Sequence, residues 1–417
     1  MAEYRADVAI IGAGIVGLST AMELIERGRS VALIDPGKER GRASYGNAGV
    51  LSRGSIFPVA GPGVLAKLPR YVLGRDIAVR VRLASFPAFA SWLPHFLRSA
   101  NEEAWRRAAA ALNPLVAASY DRHIALAARI GAGDLIKRNG YLRLYRDPQG
   151  AAAAKLERTI LTKHGVKVEE VDAVGIAELE PHLSPRFASG LLFTDTGSVE
   201  SPGALVEAYI RHLRGRGATF IPALVERIGP GEDQTIIQAG ADIVRARDVV
   251  ISAGAASARL IRPLGYRIPL AAERGYHLHL RPRGNAMLNR PVFDAAGGYV
   301  MSPMQGMVRV LSGVELARPD DPPDERQIRA VVADARRSMP LEDAAGEEIW
   351  MGSRPSTPDG LPVIGRARGS TRLFFAFGHG HIGFANGPVT GLIVAQMLTG
   401  ESPAVPVAPF SPSRFGA

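Results

Sequence analysis

The sequence contains no cysteine. Disulfide bonds, thiolate metal sites and cysteine nucleophiles are therefore excluded. Lysine is scarce as well: six stand among 50 basic residues, at Lys38, Lys67, Lys137, Lys155, Lys163 and Lys167, and the other 44 are arginine. Aromatic residues make up 6% and are not interleaved with basic runs, so the pattern of a nucleic-acid surface is missing and no nucleic-acid partner is expected. No uninterrupted apolar run approaches the roughly 18 residues of a membrane-spanning helix. The opening Met1 to Arg5 lacks the character of a signal peptide, so the protein is expected in the cytoplasm, soluble or peripheral on the inner face of the membrane. What is present is an ordinary globular composition over 417 residues, 47% hydrophobic and 22% charged, enough for two domains with sizeable cores. The net charge of +10 reads first as a solvated basic surface, then as a face for an acidic partner subunit or an anionic membrane.

The stretch from Asp7 to Asp35 organises the rest. A short apolar run, Val8 to Ile11, passes through Gly12, Gly14 and Gly17 into a helix-period segment ending near Gly28, and a second apolar run, Val31 to Ile34, delivers Asp35. This is the strand, glycine turn, helix, strand and acid of a dinucleotide site. Gly12 permits the tight turn, Gly14 lets backbone N–H groups approach a pyrophosphate, and Gly17 lets helix and strand pack closely. Asp35 ends the second strand, where a carboxylate accepts from both hydroxyls of an adenosine ribose and repels a phosphate placed there. Small and polar residues from Ala43 to Gly49 then suit a loop running under the pyrophosphate towards the reactive ring.

Residues 57–97 are punctuated by Pro and aromatics, including Phe57, Phe86, Phe89, Trp92 and Phe96, so their helices must be short. They read as helices packed on a second domain, with a lid or a membrane-touching patch as the functional alternative. A long Ala-rich helix is predicted over Asn101 to Ile130, and Tyr141 to Tyr145 alternates like a strand. Ser201 and Pro202 open a helix capped by Gly217. Hairpin-like strands follow from Leu224 to Arg247, and a buried strand from Asp248 runs into Ala253 and Gly254, returning the backbone to the cofactor cleft. Alternation from Ile268 to Arg281 and Val292 to Val314 predicts a second antiparallel sheet, and Pro322 to Ser338 reads as a helix. The fold class is α/β: a discontinuous Rossmann-like domain over 1–56, 196–267 and 345–417, and an α+β domain with a mixed antiparallel sheet over 57–195 and 268–344. Near the end, a glycine-rich loop over Gly378 to Gly383 leads into a helix for which Asn386 is a plausible cap. Its N-terminus offers N–H groups and a positive dipole to negative charge.

Four motifs together resemble one family: GAGIVG with Asp35, the ASYGNAG loop, ERGYH from Glu273 to His277, and RPSTPDGLPVIG followed by FGHGHIGFANGPVTG. They resemble the D-amino-acid oxidase superfamily of flavoproteins, most of all its D-amino-acid dehydrogenase branch with the hydroxyproline dehydrogenases. The resemblance implies FAD contacts at Gly12, Gly14, Gly17, Asp35, Ser44, Asn47, Ala48, Gly49, Val225, Ala253, Gly254, Gly378, His379, Gly380 and Gly383. It implies that Arg354 pairs with the carboxylate of a small amino-acid substrate, a role its planar fork suits. Tyr276 is expected to donate to that carboxylate. His277 reads two ways, as an acceptor from the amine or as a satisfied core histidine. The pairs His277 with His279 and His379 with His381 lack a further matching ligand set, so no metal is expected. The expected reaction is oxidative deamination of a D-amino acid, D-proline and hydroxy-D-proline included, by hydride transfer from Cα to flavin N5. Without a cysteine tether the FAD is expected to be non-covalent. Without any lysine after Lys167, the oxygen-activating lysine of the sarcosine oxidase branch is missing, which favours a quinone or an electron-transfer subunit as acceptor. Rival readings are a glycine or sarcosine oxidase, the flavin subunit of a heteromeric proline or hydroxyproline dehydrogenase, and a tRNA-modifying flavoenzyme domain.

Overall fold

A computed structural model describes residues 1–37, 41–231, 233–344 and 346–416. The basic stretch 38–40, the domain boundary at 345 and the C-terminal residue 417 lie outside the described residues. Among the described residues an eight-stranded sheet and an eleven-stranded sheet divide the chain. The first has strand Glu3–Ile11 at its centre, parallel to Val31–Ile34 on one side and to Asp242–Ile251 on the other. Thr219–Ile221 extends one edge, and Leu373–Phe377 lies parallel to the last residues of Asp242–Ile251. These central strands are apolar on both faces because helices cover them.

The covering layer is held together by glycine. Helix Ile15–Glu26 packs along the C-terminal helix Gly383–Thr399. A Cβ on Gly391 would stand 2.5 Å from the carbonyl carbon of Ser19, and one on Gly387 2.8 Å from Cγ2 of Ile15. The two backbones approach as closely as they do only because those side chains are missing. The stretch Gly380–Thr399 has a mean hydropathy of 1.2, enough by length and composition to cross a membrane, and is two-thirds buried inside the molecule as a core element.

Several expectations are corrected here. Helix Glu102–Arg129, assigned from sequence to the second domain, packs against the C-terminal helix of the first layer, where the Ser119 hydroxyl meets Asn386 Oδ1. Asn386 is therefore a buried interior residue of that helix, which starts at Gly383, and not its cap. The strand expected from Asp248 begins earlier, at Asp242, as one continuous strand. The helix expected from Pro322 begins at Arg326, because Pro322 and Pro323 lack the N–H groups and the freedom to continue a helix backwards. Strand Trp350–Ser356, placed by sequence with the cofactor domain, belongs to the second sheet, where it pairs with Ala271–Pro282.

Candidate active site

The first wall of the site is the turn after Glu3–Ile11. Gly12 has φ +107°, and a Cβ there would lie 2.5 Å from the carbonyl oxygen of Ser252. The Gly12 turn thus packs directly on the turn through Ala253 and Gly254, at the carboxyl ends of adjacent parallel strands. Gly14 begins helix Ile15–Glu26 with no side-chain cap, and a Cβ on Gly17 would collide with Gly12 O at 2.0 Å. This uncapped N-terminus beside a cradle that any Cβ would fill suits a pyrophosphate. Asp35 has local work: its Oδ2 accepts from Ala13 N at 2.8 Å, and its Oδ1 accepts from Gly37 N at 3.0 Å and from Arg42 Nη2 at 2.8 Å. A carboxylate has about four acceptor positions, so one remains for a ribose hydroxyl. Ser44 Oγ accepts from Ile15 N at 3.0 Å, which ties the following loop to the helix start. Val225 opens strand Val225–Pro230, four residues beyond Ile221, whose carbonyl accepts from Asp35 N.

The loop from Ser44 to Gly49 is fixed from both sides. Asn47 Oδ1 accepts from Gly49 N, which has φ +72°, and Ala48 lies between them, half-buried. Arg309 donates through Nη1 to Tyr45 O at 3.1 Å and to Asn47 O at 2.5 Å. Its Nε donates to His279 Nε2 at 3.0 Å, and His279 in turn meets Glu347 at 2.9 Å. Burial pushes the Arg309 guanidinium down to about 10. Sequence reasoning missed Arg309, since nothing local separates it from the other arginines.

The second wall is the pairing of Ala271–Pro282 with Trp350–Ser356, in which Glu273 stands opposite Arg354, Gly275 opposite Gly352 and His277 opposite Trp350. Alternation puts these six on one face and Arg274 and Tyr276 on the other. Arg354 is half-buried and donates through Nη1 to Gly313 O at 3.0 Å. Its guanidinium lies over Gly275, because a Cβ there would stand 2.5 Å from Nη2.

His277 shares this face but sits about 13 Å further along the strand, at about 3.4 Å per residue. It stacks on Trp350 with ring centroids 4.8 Å apart and donates through Nδ1 to Gly46 O at 3.3 Å. Burial, with Arg309 and His279 nearby, drives its pKa down to about 2, so it is a neutral prop for the Ser44 to Gly49 loop. The Trp350 ring occupies the space left by Gly46 and Gly352, since a Cβ on either would stand 2.0 Å from it.

Tyr276 does not join Arg354. Its hydroxyl donates to Glu315 Oε2 at 2.5 Å and accepts from Arg274 Nη2 at 2.6 Å and from Asp324 N at 2.9 Å, on the far side of the strand. The expectation that it donates to a substrate carboxylate is corrected by that alternation.

Beyond the contacts of Arg309 and His277 with the Ser44 to Gly49 loop, the two walls are joined by a backbone bridge, Ser356 to His379. Gly378 and Gly380, with φ +80° and +54°, carry the chain from strand Leu373–Phe377 into the C-terminal helix that Gly383 begins. His379 is anchored to Thr390 Oγ1 at 3.0 Å, and burial holds its pKa near about 4. His381, exposed at the outer end, presents its surface to a narrow cavity also lined by Glu273, Ser356, Phe57, Trp92 and Phe96, and the Arg354 charge disfavours its protonation. Trp92 Nε1 donates to Ser356 O at 3.0 Å, closing the outer side. Glu273, 5% exposed and raised in pKa by burial, was quoted in the sequence motif but assigned no role. No cluster of metal-ligating residues occurs among the described residues.

The profile of a protein family described as FAD dependent oxidoreductase matches residues 7–397. The chain is 35% identical to a D-amino-acid oxidase of Bradyrhizobium diazoefficiens over 98% of each chain. It is 29% identical to D-amino acid dehydrogenase 2 of Ralstonia nicotianae over 98% of this chain and all of that one. In fold it is similar to glycine oxidase from Geobacillus kaustophilus, with TM-score 0.78, 24% identity and 99% of each chain covered. It is also similar in fold to L-proline dehydrogenase from P. horikoshii, with TM-score 0.73, 20% identity and 100% and 98% covered.

Proposed function

We propose, since the chain belongs to the family of FAD dependent oxidoreductases, that it oxidises D-amino acids at Cα and passes the electrons to a quinone or an electron-transfer subunit. The observation that carries this reading is Arg354, a half-buried guanidinium over the Gly275 gap, on a strand bridged to the Gly378 to Gly383 loop. A substrate carboxylate held there has its Cα beside the loop that leads into the C-terminal helix. FAD, when bound, supplies the two-electron acceptor. The chain's share is to hold that cofactor through the turns at Gly12, Gly14 and Gly17, Asp35, the loop from Ser44 to Gly49, Val225, the Ala253 and Gly254 turn, and Gly378, His379, Gly380 and Gly383. Arg354 orients the substrate, and Trp92 and Phe96 exclude water from it.

Peripheral attachment to the inner face of a membrane supports a quinone acceptor. Leu65, Val72, Leu73, Leu83, Phe86 and Leu97 are all exposed large apolar side chains of the segment 59–97. Helix Val64–Val72 buries none of its residues, and exposed Lys67, Arg70, Arg75 and Arg98 stand among these apolar groups, against a single acid, Asp76. Apolar anchors with basic neighbours suit an anionic lipid surface. Sedimentation with phosphatidylglycerol vesicles, lost in Leu73→Glu and Phe86→Glu and absent with neutral lipid, tests this attachment.

Oxygen is the acceptor in a second reading, favoured by the oxidase name of the Bradyrhizobium relative. One experiment addresses both. FAD-loaded protein is mixed without air with D- and L-amino acids, D-proline, hydroxy-D-proline, glycine and sarcosine, and air is then admitted. Bleaching by D-amino acids that persists in air supports the dehydrogenase, and rapid recovery with peroxide supports the oxidase. No bleaching by any amine overturns the proposal.

A further inference from the structure

Glu273 stands where the site needs a group that nothing above supplies. It lies opposite Arg354 in the strand pair, on the same face, and lines the narrow cavity beside the cofactor loop. At 5% exposure it has no ion pair within 4.0 Å among the described residues. Its polar neighbours are Arg354, which acts on it electrostatically, and the Ser356 hydroxyl, which makes no well-formed hydrogen bond. Arg354 is meanwhile drawn towards Gly275 and Gly313 O. A desolvated carboxylate left short of partners is costly, and Gln or Leu would fill the position at less cost. The arrangement makes sense if the ligand brings the missing cation. A half-buried plus and a buried minus that face each other without closing leave a gap that a zwitterion fits, carboxylate to Arg354 and ammonium to Glu273. In an α-amino acid those two charges sit on one carbon, and Glu273 and Arg354 stand directly opposite each other on one face of the strand pair.

We propose that Glu273 is a catalytic residue that receives the substrate's α-ammonium group and takes one proton from it. This rests on the function proposed above. In the step, one N–H bond of the ammonium breaks, its electron pair stays on nitrogen as a lone pair, and the proton moves to a Glu273 carboxylate oxygen. The products are a neutral amine and a neutral carboxylic acid, with no change of oxidation state. The oxidation then has the lone pair it needs to form the C=N bond as the Cα–H electrons leave. Burial, which raises the Glu273 carboxyl, makes it a better proton acceptor than an exposed carboxylate. The charged and titratable groups facing it are Arg354 on the paired strand and His379 and His381 on the cofactor loop; burial keeps the His379 imidazole neutral, and the Arg354 charge disfavours protonation of the exposed His381.

The test compares the wild-type holoenzyme with Glu273→Gln and Glu273→Asp, each checked for FAD content and thermal melting. Two ligands serve as probes: D-alanine, and propionate, which has the carboxylate and lacks the amine. Propionate binding is read without turnover, from the perturbation of the flavin spectrum. In Glu273→Gln, kcat/KM for D-alanine falls about 100-fold or more, the range of a lost general base, while the propionate Kd changes by less than about threefold. The loss shrinks as pH rises and the amine of free D-alanine loses its proton in solution, and Glu273→Asp recovers part of it. Glu273→Gln within about threefold of wild type on D-alanine overturns the proposal. So does an equal loss of propionate binding, which would make Glu273 a support for Arg354. A wild-type flavin that binds propionate but is bleached by no D-amino acid overturns the parent reading and this one with it.

Discussion

Arg354 and Gly275 are a matched pair across two strands: the guanidinium occupies the volume that any side chain at 275 would need, with Nη2 2.5 Å from a Cβ built there. Gly275→Ala should push the guanidinium off its position without touching the Gly12 turn. A displacement near 1 Å at a reacting site costs on the order of 100-fold. We expect kcat/KM for the best D-amino acid to fall by about that factor while FAD content stays at the wild-type level, measured by steady-state kinetics and flavin absorbance.

Tyr276→Phe separates the two faces of the same strand. The lost hydroxyl leaves Arg274 and Glu315 with one partner fewer in a buried network, and a broken buried bond of this kind costs about 1–3 kcal/mol. Denaturant unfolding should register that loss. The KM of the amino acid should stay within about twofold of wild type, since the hydroxyl points away from Arg354.

Arg309→Met keeps the length of the side chain and removes the donors that hold Tyr45 O and Asn47 O. The loop from Ser44 to Gly49 then loses its clamp on one side. Charge-assisted hydrogen bonds contribute about 1.5–3 kcal/mol, so FAD affinity, followed by flavin fluorescence on dilution, should weaken about 10-fold or more.

Three buried histidines set an acid limit. His123 and His379 are lowered to about 4 and His277 to about 2, all by burial, against an ordinary value of 6.5. Below pH 6.5 the unfolded chain binds protons at these positions that the folded chain does not. Stability is therefore full above about 6.5 and is lost as pH falls from there towards 4, by at most about 1.4 kcal/mol per pH unit for each histidine. Urea midpoints at pH 7 and pH 5 measure the slope, and His277→Gln should remove about a third of it.

The cofactor half of the site was legible because each of its steps has a local signature. Glycine at 12, 14 and 17, an apolar strand on each side and Asp35 at the right distance leave one reading of that stretch. The substrate half was less so, because its geometry is made across strands. ERGYH contains both Tyr276 and His277, and period-two alternation alone forbids neighbours on a strand from facing one site. Which of them faces Arg354 depended on register, which no short segment carries. Register also decides that Glu273 stands opposite Arg354 and that His277 belongs to the loop instead. Asn386 looked like a cap because its residue type favours caps, yet it lies inside the core, where its Oδ1 accepts from Ser119 on a helix far away in sequence. Arg309 is one arginine among 44, and its worth comes from two carbonyls more than 250 positions away.

The bridge between Ser356 and His379 also divides the chain between them into two kinds of sequence. Residues 357 to 378 depart from the substrate strand and return to the same point, closing a loop like a shackle pinned at its ends. Near the pin, at Thr357 and Gly378, one inserted residue would shift the carboxylate clamp relative to the cofactor loop by a whole step of backbone. At the far end, the exposed turn through Arg368 and Gly369 tolerates added length, because nothing in the site is measured from it. At this junction the interval between the substrate strand and the cofactor loop is gauged at the feet of the loop, while its crown is left free to vary.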